Sequence, residues 1–163
     1  MVAALVKGEK MDLVLQKATE LGVSEIVLLE TERTIAKIKD ESKLGRFRKI
    51  LKEAAEQSKR TRIPTLNKVL TINKLNEIKA DVKLIAYKGE QGSSKSFNDE
   101  LKALKPGKSV AIMIGPEGGF SEKEVQEANK LGFTSVGLGK RILRAETASF
   151  YALSVISNFV ERK

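Results

Sequence analysis

Apolar and polar positions follow two rhythms along this chain, and the chain switches between them repeatedly. Short apolar runs at 2–6 (VAALV), 24–30 (SEIVLLE), 66–70, 82–87, 109–115 and 134–138 read as strands. Leu13, Val14, Ala18 and Leu21 recur near the helical period, which predicts a helix from Met11 to Leu21 with Gly22 as its stop. Leu44, Phe47, Ile50, Leu51, Ala54 and Ala55 form one apolar stripe, which predicts an amphipathic helix over 43–60 that cannot continue past Pro64. A short helix near 72–79, a loop at 88–96 and helices at 97–104, 121–131 and 145–161 complete the alternation. The last helix gathers Ala145, Ala148, Ala152, Val155, Ile156 and Phe159 on one side. Strands alternating with helices predict an α/β fold: a mainly parallel sheet with helices on both faces. No repeat, low-complexity tract or linker divides residues 1–163, which read as a single domain large enough for a full core.

Composition narrows the chemistry. The chain has no His and no Cys, which removes a Ser-His-Asp triad, a thiol nucleophile and a zinc site of the usual ligands. No EF-hand loop or P-loop occurs, and no metal is expected. General acid–base work falls to Asp, Glu, Lys, Tyr or a bound water. No apolar run approaches the ~18 residues that span a membrane, and the opening MVAALVKGEKMD is unlike a signal peptide. A cytoplasmic protein with no membrane partner is the expectation.

Charge adds a candidate partner. Thirty basic and 21 acidic residues leave +9. Eight of the basic residues (Lys43, Arg46, Arg48, Lys49, Lys52, Lys59, Arg60, Arg62) fall between 43 and 62, against Glu53 and Glu56 only. Such a local excess is the footprint of a phosphate-backbone partner. A solvated helix face is the equal alternative.

Glycines mark the candidate site. Seven of the twelve, at 89, 92, 115, 118, 119, 137 and 139, follow three apolar strands. In open parallel sheets ligands sit beyond the carboxyl ends of strands. Any one glycine reads better as a tight turn, but three clusters at three strand ends predict a pocket built from main chain. The spacing of a dinucleotide-binding G-x-G-x-x-G is missing.

Within the stretch from Ala111 to Ala148, IGPEGGFS is followed by LGKRILRAETA. Together with LQKATELGVSEIVLLETERT at 15–34 and KEAAEQSKR at 52–60, these motifs resemble the 16S ribosomal RNA uridine-N3 methyltransferases. These form the ribosomal RNA small subunit methyltransferase E family, within the SPOUT, or α/β-knot, superfamily. The four pieces come in the family's order and span nearly the whole chain. The resemblance implies a deep trefoil knot near the C-terminus and homodimers that act on 16S rRNA in the small ribosomal subunit. Full-length members also carry an N-terminal β-barrel similar to a PUA domain, to which nothing in residues 1–163 corresponds.

It further implies S-adenosylmethionine as cofactor, held by three loops. The matching positions are Tyr87, Lys88, Gly89 and Glu90; Ile114, Gly115, Pro116, Glu117, Gly118 and Gly119; and Leu138, Gly139, Ile142, Leu143 and Arg144, with Thr147 close behind. Ile142 and Leu143 read equally as ordinary core. Removal of the uracil N3 proton falls to Glu117 or Glu146. The alternative for Glu117 is bracing its own turn; for Glu146 it is a charge–dipole contact at a helix start. Arg144 is the cation expected to stabilise the uracil anion, with a structural salt bridge as its alternative. Arg33, at the end of a strand, is expected to face the target nucleotide, from the partner subunit in some arrangements; a plain surface arginine is the other reading. Arg33, Arg46, Lys49, Gln57, Lys59, Arg60 and Arg62 are expected to contact RNA. Two other functions remain open at this point: a non-catalytic RNA- or nucleotide-binding knot domain, and a knot methyltransferase for another base.

Overall fold

A computed structural model describes residues 1–38, 40–88, 95–105 and 107–161. Its strands are β1 (Val2–Ala4), β2 (Glu25–Glu30), β3 (Thr65–Thr71), β4 (Val82–Ala86), β5 (Lys95–Ser96), β6 (Val110–Ile114) and β7 (Thr134–Gly137). The helices are α1 (Glu9–Glu20), α2 (Glu41–Gln57), α3 (Phe97–Lys102), α4 (Glu122–Lys130) and α5 (Ala145–Val160). The strands make one sheet in the order β3-β2-β1-β6-β4-β7-β5, and every pairing is parallel.

Strand periodicity explains why both faces are covered. Successive side chains on a strand point to opposite faces. Ala3, Ile26, Leu28, Leu84, Ile112, Ile114 and Val136 point into one apolar core, with Met11, Val14 and Leu15 of α1, Phe47 and Leu51 of α2, Phe97 and Leu101 of α3, and Ala148 and Ala152 of α5. Their alternating neighbours Val2, Val27, Leu29, Ile85, Ala111 and Met113 build a second core, with Leu75 and with Val125 and Ala128 of α4. Strands apolar at every position are what a doubly covered parallel sheet requires.

Three elements differ from the sequence expectation, each for a local reason. The segment after β3 is a 3₁₀ turn over Ile72–Glu77 rather than an α-helix, and only Leu75 among these residues is buried. A single anchor gives no amphipathic stripe to hold a longer helix. The two-residue strand β5 lies inside the expected 88–96 loop; it pairs with β7 through Lys95 and Ser96, a register that no hydrophobic pattern marks. Helix α2 starts at Glu41 because the Asp40 side chain accepts the Lys43 N–H at 3.2 Å, an N-cap that extends it beyond its first apolar residue.

The edge of the sheet where strands begin is clamped. The Asp81 carboxylate accepts from the Ser109 N–H (2.9 Å), the Ser109 hydroxyl (2.7 Å) and the Lys108 ammonium (2.8 Å). The Val82 N–H donates to the Ser109 carbonyl at 3.0 Å, which sets β4 against β6. Fixing the register there brings the carboxyl ends of β6, β4 and β7, three neighbours, out side by side.

Candidate functional site

Beyond those three strand ends lies a cleft of about 690 Å³, within the size range of small-molecule sites. Ala86, Tyr87 and Lys88 after β4, the stretch from Ile114 to Phe120 after β6, and the loop between β7 and α5 line it, with Lys10 and Arg33 at the rim. Two ties hold the walls together: the Tyr87 N–H donates to the Val136 carbonyl (3.0 Å), and the Lys88 ammonium to the Lys140 carbonyl (2.9 Å).

The wall after β6 is a turn, closed by the Gly119 N–H on the Pro116 carbonyl at 2.9 Å. Gly119 sits at φ +67°, where a side chain would be strained. Gly115 serves a different end. A Cβ there would stand 3.1 Å from the buried Phe120 ring, so any side chain at 115 would make the ring give by a few tenths of an ångström. A Cβ on Gly118 would press on the Arg33 stem at 3.3 Å. Arg33 donates from Nη1 to the Gly118 carbonyl at 2.8 Å, so this arginine braces the turn of its own chain.

Glu124 holds Arg33's segment in place. Ser121 caps α4 by accepting the Glu124 N–H, and the Glu124 carboxylate returns to the Ser121 N–H at 2.9 Å, a capping box. Its other oxygen accepts the Glu32 N–H at 2.7 Å, tying the start of α4 to the turn after β2. Glu124 is buried and was not among the expected site residues. The S-x-x-E spacing at 121–124 is the signal that would have pointed to it.

Glu117 projects from the same turn. Partial burial raises its pKa, but hydrogen bonds from its own backbone and from the Lys7 N–H outweigh this, together with the Lys10 ammonium at 3.5 Å. The net effect holds its carboxyl below the ordinary glutamate value. Glu117 thus bonds to its own turn, the alternative to the base role, and also to Lys7 just before α1 and Lys10 within it.

The third wall runs from Leu138 to Arg144. Gly139 sits at φ +131°. Ile142 is 95% exposed, which excludes the core reading for it, whereas Leu143 packs partly into the core beneath. Arg144 is the N-cap residue of α5 and is exposed. Among the described residues it makes no ion pair, so the salt-bridge alternative has no partner there. Glu146 lies in the first turn of α5 with one carboxylate oxygen buried and without a hydrogen-bond partner. Neither Glu146 nor the exposed Thr147 lines the cleft. Gly89 and Glu90 lie outside the described residues.

Arg141, within the expected stretch from Leu138 to Arg144, lines the cleft, as do Lys10 and Glu122; these last two were not expected and no local pattern marks them, because only the fold brings α1 and α4 to this end of the sheet. Five cations (Lys10, Arg33, Lys88, Arg141, Arg144) against Glu117 and Glu122 make the lining positive. An apolar, main-chain-walled cleft with a cationic rim suits a flat neutral ring joined to an anionic backbone. Among the described residues no group of His, Cys, Asp or Glu is arranged to hold a metal, and no helix is long and apolar enough to cross a membrane.

The residues expected to contact RNA fall in three places. Arg33 is at the cleft. Arg46 pairs with Asp12 of α1, and Lys49 with Glu53 at 3.8 Å. Gln57, Lys59, Arg60 and Arg62 lie at the other end of α2, whose 17 residues span about 25 Å, next to the start of β3. Arg60 donates to the Thr19 carbonyl at 2.8 Å, closing the C-terminal end of α1. Lys59 takes φ +55°, the left-handed conformation that helix ends usually give to glycine.

Comparison with known proteins gives the same picture. Ribosomal RNA small subunit methyltransferase E of Bacillus subtilis (strain 168) is 38% identical over 162 residues, 95% of this chain and 63% of that protein. The chain thus spans a little under two thirds of such a relative. A putative methyltransferase from Legionella pneumophila, solved with bound cofactor SAM, matches with a TM-score of 0.87 and 39% identity over 96% of this chain and 64% of that one. Ribosomal RNA small subunit methyltransferase E from Neisseria gonorrhoeae, bound to S-adenosyl methionine, matches with a TM-score of 0.84 and 33% identity over 98% and 65%. A family model described as an RNA methyltransferase domain covers residues 1–157. With that match spanning sheet, cleft and α5 alike, the chain belongs to the RNA methyltransferase domain family.

Proposed function

We propose that this chain transfers a methyl group from S-adenosylmethionine to N3 of a uridine in 16S ribosomal RNA, acting in the cytoplasm as a homodimer. The observation that carries the reading is the cleft: main chain from three adjacent strand ends, an exposed apolar Ile142, and an unpaired Arg144 at its edge. The residues present fit the cofactor. The turn at 115–119 and the backbone at Tyr87 and Leu138 offer N–H and C=O groups to an adenine edge, and Leu138, Ile142 and Leu143 offer apolar surface for it. When bound, the cofactor supplies an activated methyl group on a sulfonium.

The chain's own part is to hold the uracil ring in line and to manage one proton. Orientation supplies most of the rate in such a displacement. Arg144 hydrogen-bonds a uracil carbonyl and stabilises the anion left when the N3 proton departs. Glu117, which lines the cleft, takes that proton in preference to Glu146, which does not. Its lowered pKa keeps it ionised but makes it a weak acceptor. Arg33 holds the Gly118 carbonyl and so sets where Glu117 stands.

The dimer is proposed to form through α1 and α5, which pack together and leave Leu13, Tyr151 and Val160 as exposed apolar side chains. The trefoil knot expected from the resemblance belongs to the segment between β7 and α5. Arg46, Lys49, Gln57, Lys59, Arg60 and Arg62 are proposed to serve a stretch of RNA away from the cleft. The test is to incubate the chain with unmodified 30S subunits and S-adenosylmethionine, then analyse the nucleosides by mass spectrometry. The expected product is 3-methyluridine. A different methylated base would make this an enzyme for another position, and no product with cofactor bound would leave an RNA-binding domain.

A further inference from the structure

We infer that Arg141 holds a backbone phosphate of the RNA next to the nucleotide whose base enters the cleft. At the target nucleotide, phosphate grip is thereby placed on the cleft rim rather than on the middle of the basic helix α2, whose residues serve RNA farther away. The inference rests on the methyltransferase reading for the identity of that nucleotide.

The charge on α2 is smaller than the sequence suggests. Between Glu41 and Gln57 the basic residues are Lys43, Arg46, Arg48, Lys49 and Lys52 and the acidic ones Glu41, Glu53 and Glu56, so five minus three leaves +2. Each of these cations also has a partner. Arg46 pairs with Asp12, Arg48 with Glu41 (2.6 Å), Lys49 with Glu53 (3.8 Å) and Lys52 with Glu56 (3.8 Å). Lys43 donates to the Lys37 carbonyl and lies over the Phe47 ring. Such exposed pairs are individually weak, but a phosphate arriving on α2 displaces one at every contact.

At the cleft the position is reversed. Lys10 is used on Glu117, Arg33 on the Gly118 carbonyl and Lys88 on the Lys140 carbonyl. Arg141 and Arg144 are the lining cations that make no hydrogen bond or ion pair among the described residues. Arg144 caps α5 and is assigned to the base. Arg141 is exposed on the loop three residues earlier, and the Lys88 contact fixes the carbonyl of the residue just before it. A guanidinium presents a planar fork that matches a phosphate bidentately. On a loop already tied down, less ordering is needed to make that contact.

The test is a fluorescence-anisotropy titration of a labelled, uridine-containing RNA hairpin at several salt concentrations. It compares the unaltered chain with Arg141→Gln, Arg141→Lys and Lys52→Gln, with S-adenosylmethionine affinity measured in parallel by calorimetry. Arg141→Gln is expected to weaken binding to all sequences alike and to flatten the slope of log K against log salt by about 0.7, the share of one single-strand phosphate. Arg141→Lys keeps the slope because the charge remains. Lys52→Gln leaves both affinity and slope unchanged, and cofactor affinity is unaltered in all three. An unchanged slope in Arg141→Gln overturns the inference, as does a flattened slope in Lys52→Gln or the absence of RNA binding by the unaltered chain. Loss of cofactor heat in the unaltered chain would instead overturn the methyltransferase reading itself.

Discussion

At the scale of single residues, the site is defined by which side chains are already engaged. Glu117 has the Lys7 N–H and the Lys10 ammonium beside it and titrates below the ordinary glutamate value. A carboxyl with a lowered pKa stays ionised until the pH falls through that lowered value. The acid limb of kcat/KM that belongs to Glu117 should therefore lie below about pH 4.3, the unperturbed position, and the rate should show no Glu117 step between neutral pH and there. Glu117→Gln should lower kcat by about 10²-fold, the low end for a general base, with cofactor affinity little changed. Single-turnover assays across pH would check both, and an unaltered kcat would place the proton acceptor elsewhere. Sequence alone brought Glu117, Arg144 and Arg33 to notice through motif resemblance. It did not reveal that Arg33 is bonded to its own chain's turn, since residues 33 and 118 meet only in the fold.

At the scale of elements, amphipathic stripes were readable and short pieces were not. The α2 and α5 stripes appear where expected because their apolar side chains repeat over several turns and pack on one core. Strand β5 escaped notice, and the short helix expected near 72–79 was not distinguishable as 3₁₀, because two residues and one buried leucine leave no period to detect. The start of α4 is the element on which the site most depends. Its Glu124 carboxylate binds the Ser121 and Glu32 N–H groups, joining helix to the turn that carries Arg33. Glu124→Ala removes both charge-assisted bonds, made to partly buried N–H groups, at about 1–3 kcal/mol. For a chain of this size that lowers Tm by about 2–4 °C per kcal/mol. Lys123→Ala, exposed on the same turn, should stay within about 0.5 kcal/mol of the unaltered chain. Thermal melts followed by circular dichroism compare the two, and equal melts would remove Glu124 from its positioning role.

At the scale of the whole molecule, the function-bearing geometry is a consequence of strand order. Strand β4 comes earlier in the chain than β6 and β7 yet lies between them in the sheet, so the loops after all three share one cleft. Glycine clusters after three strands hinted at a pocket. The order of those strands, and with it the arrival of Lys10 from α1 and Glu122 from α4, depends on long-range pairing that local patterns do not encode. The basic stretch at 43–62 was legible as charge, but the carboxylates that pair with Arg46, Arg48, Lys49 and Lys52 were not.

The central claim is that this cleft takes S-adenosylmethionine, and calorimetric titration of that compound into the chain and into Gly115→Ala tests it most directly. A Cβ at 115 meets the buried Phe120 ring at 3.1 Å and must shift the wall of the cleft. The predicted result is saturable heat with one site per chain, lost or strongly weakened in a Gly115→Ala protein that circular dichroism shows to be folded. No heat from the unaltered chain, or equal affinity in the folded variant, would contradict the account.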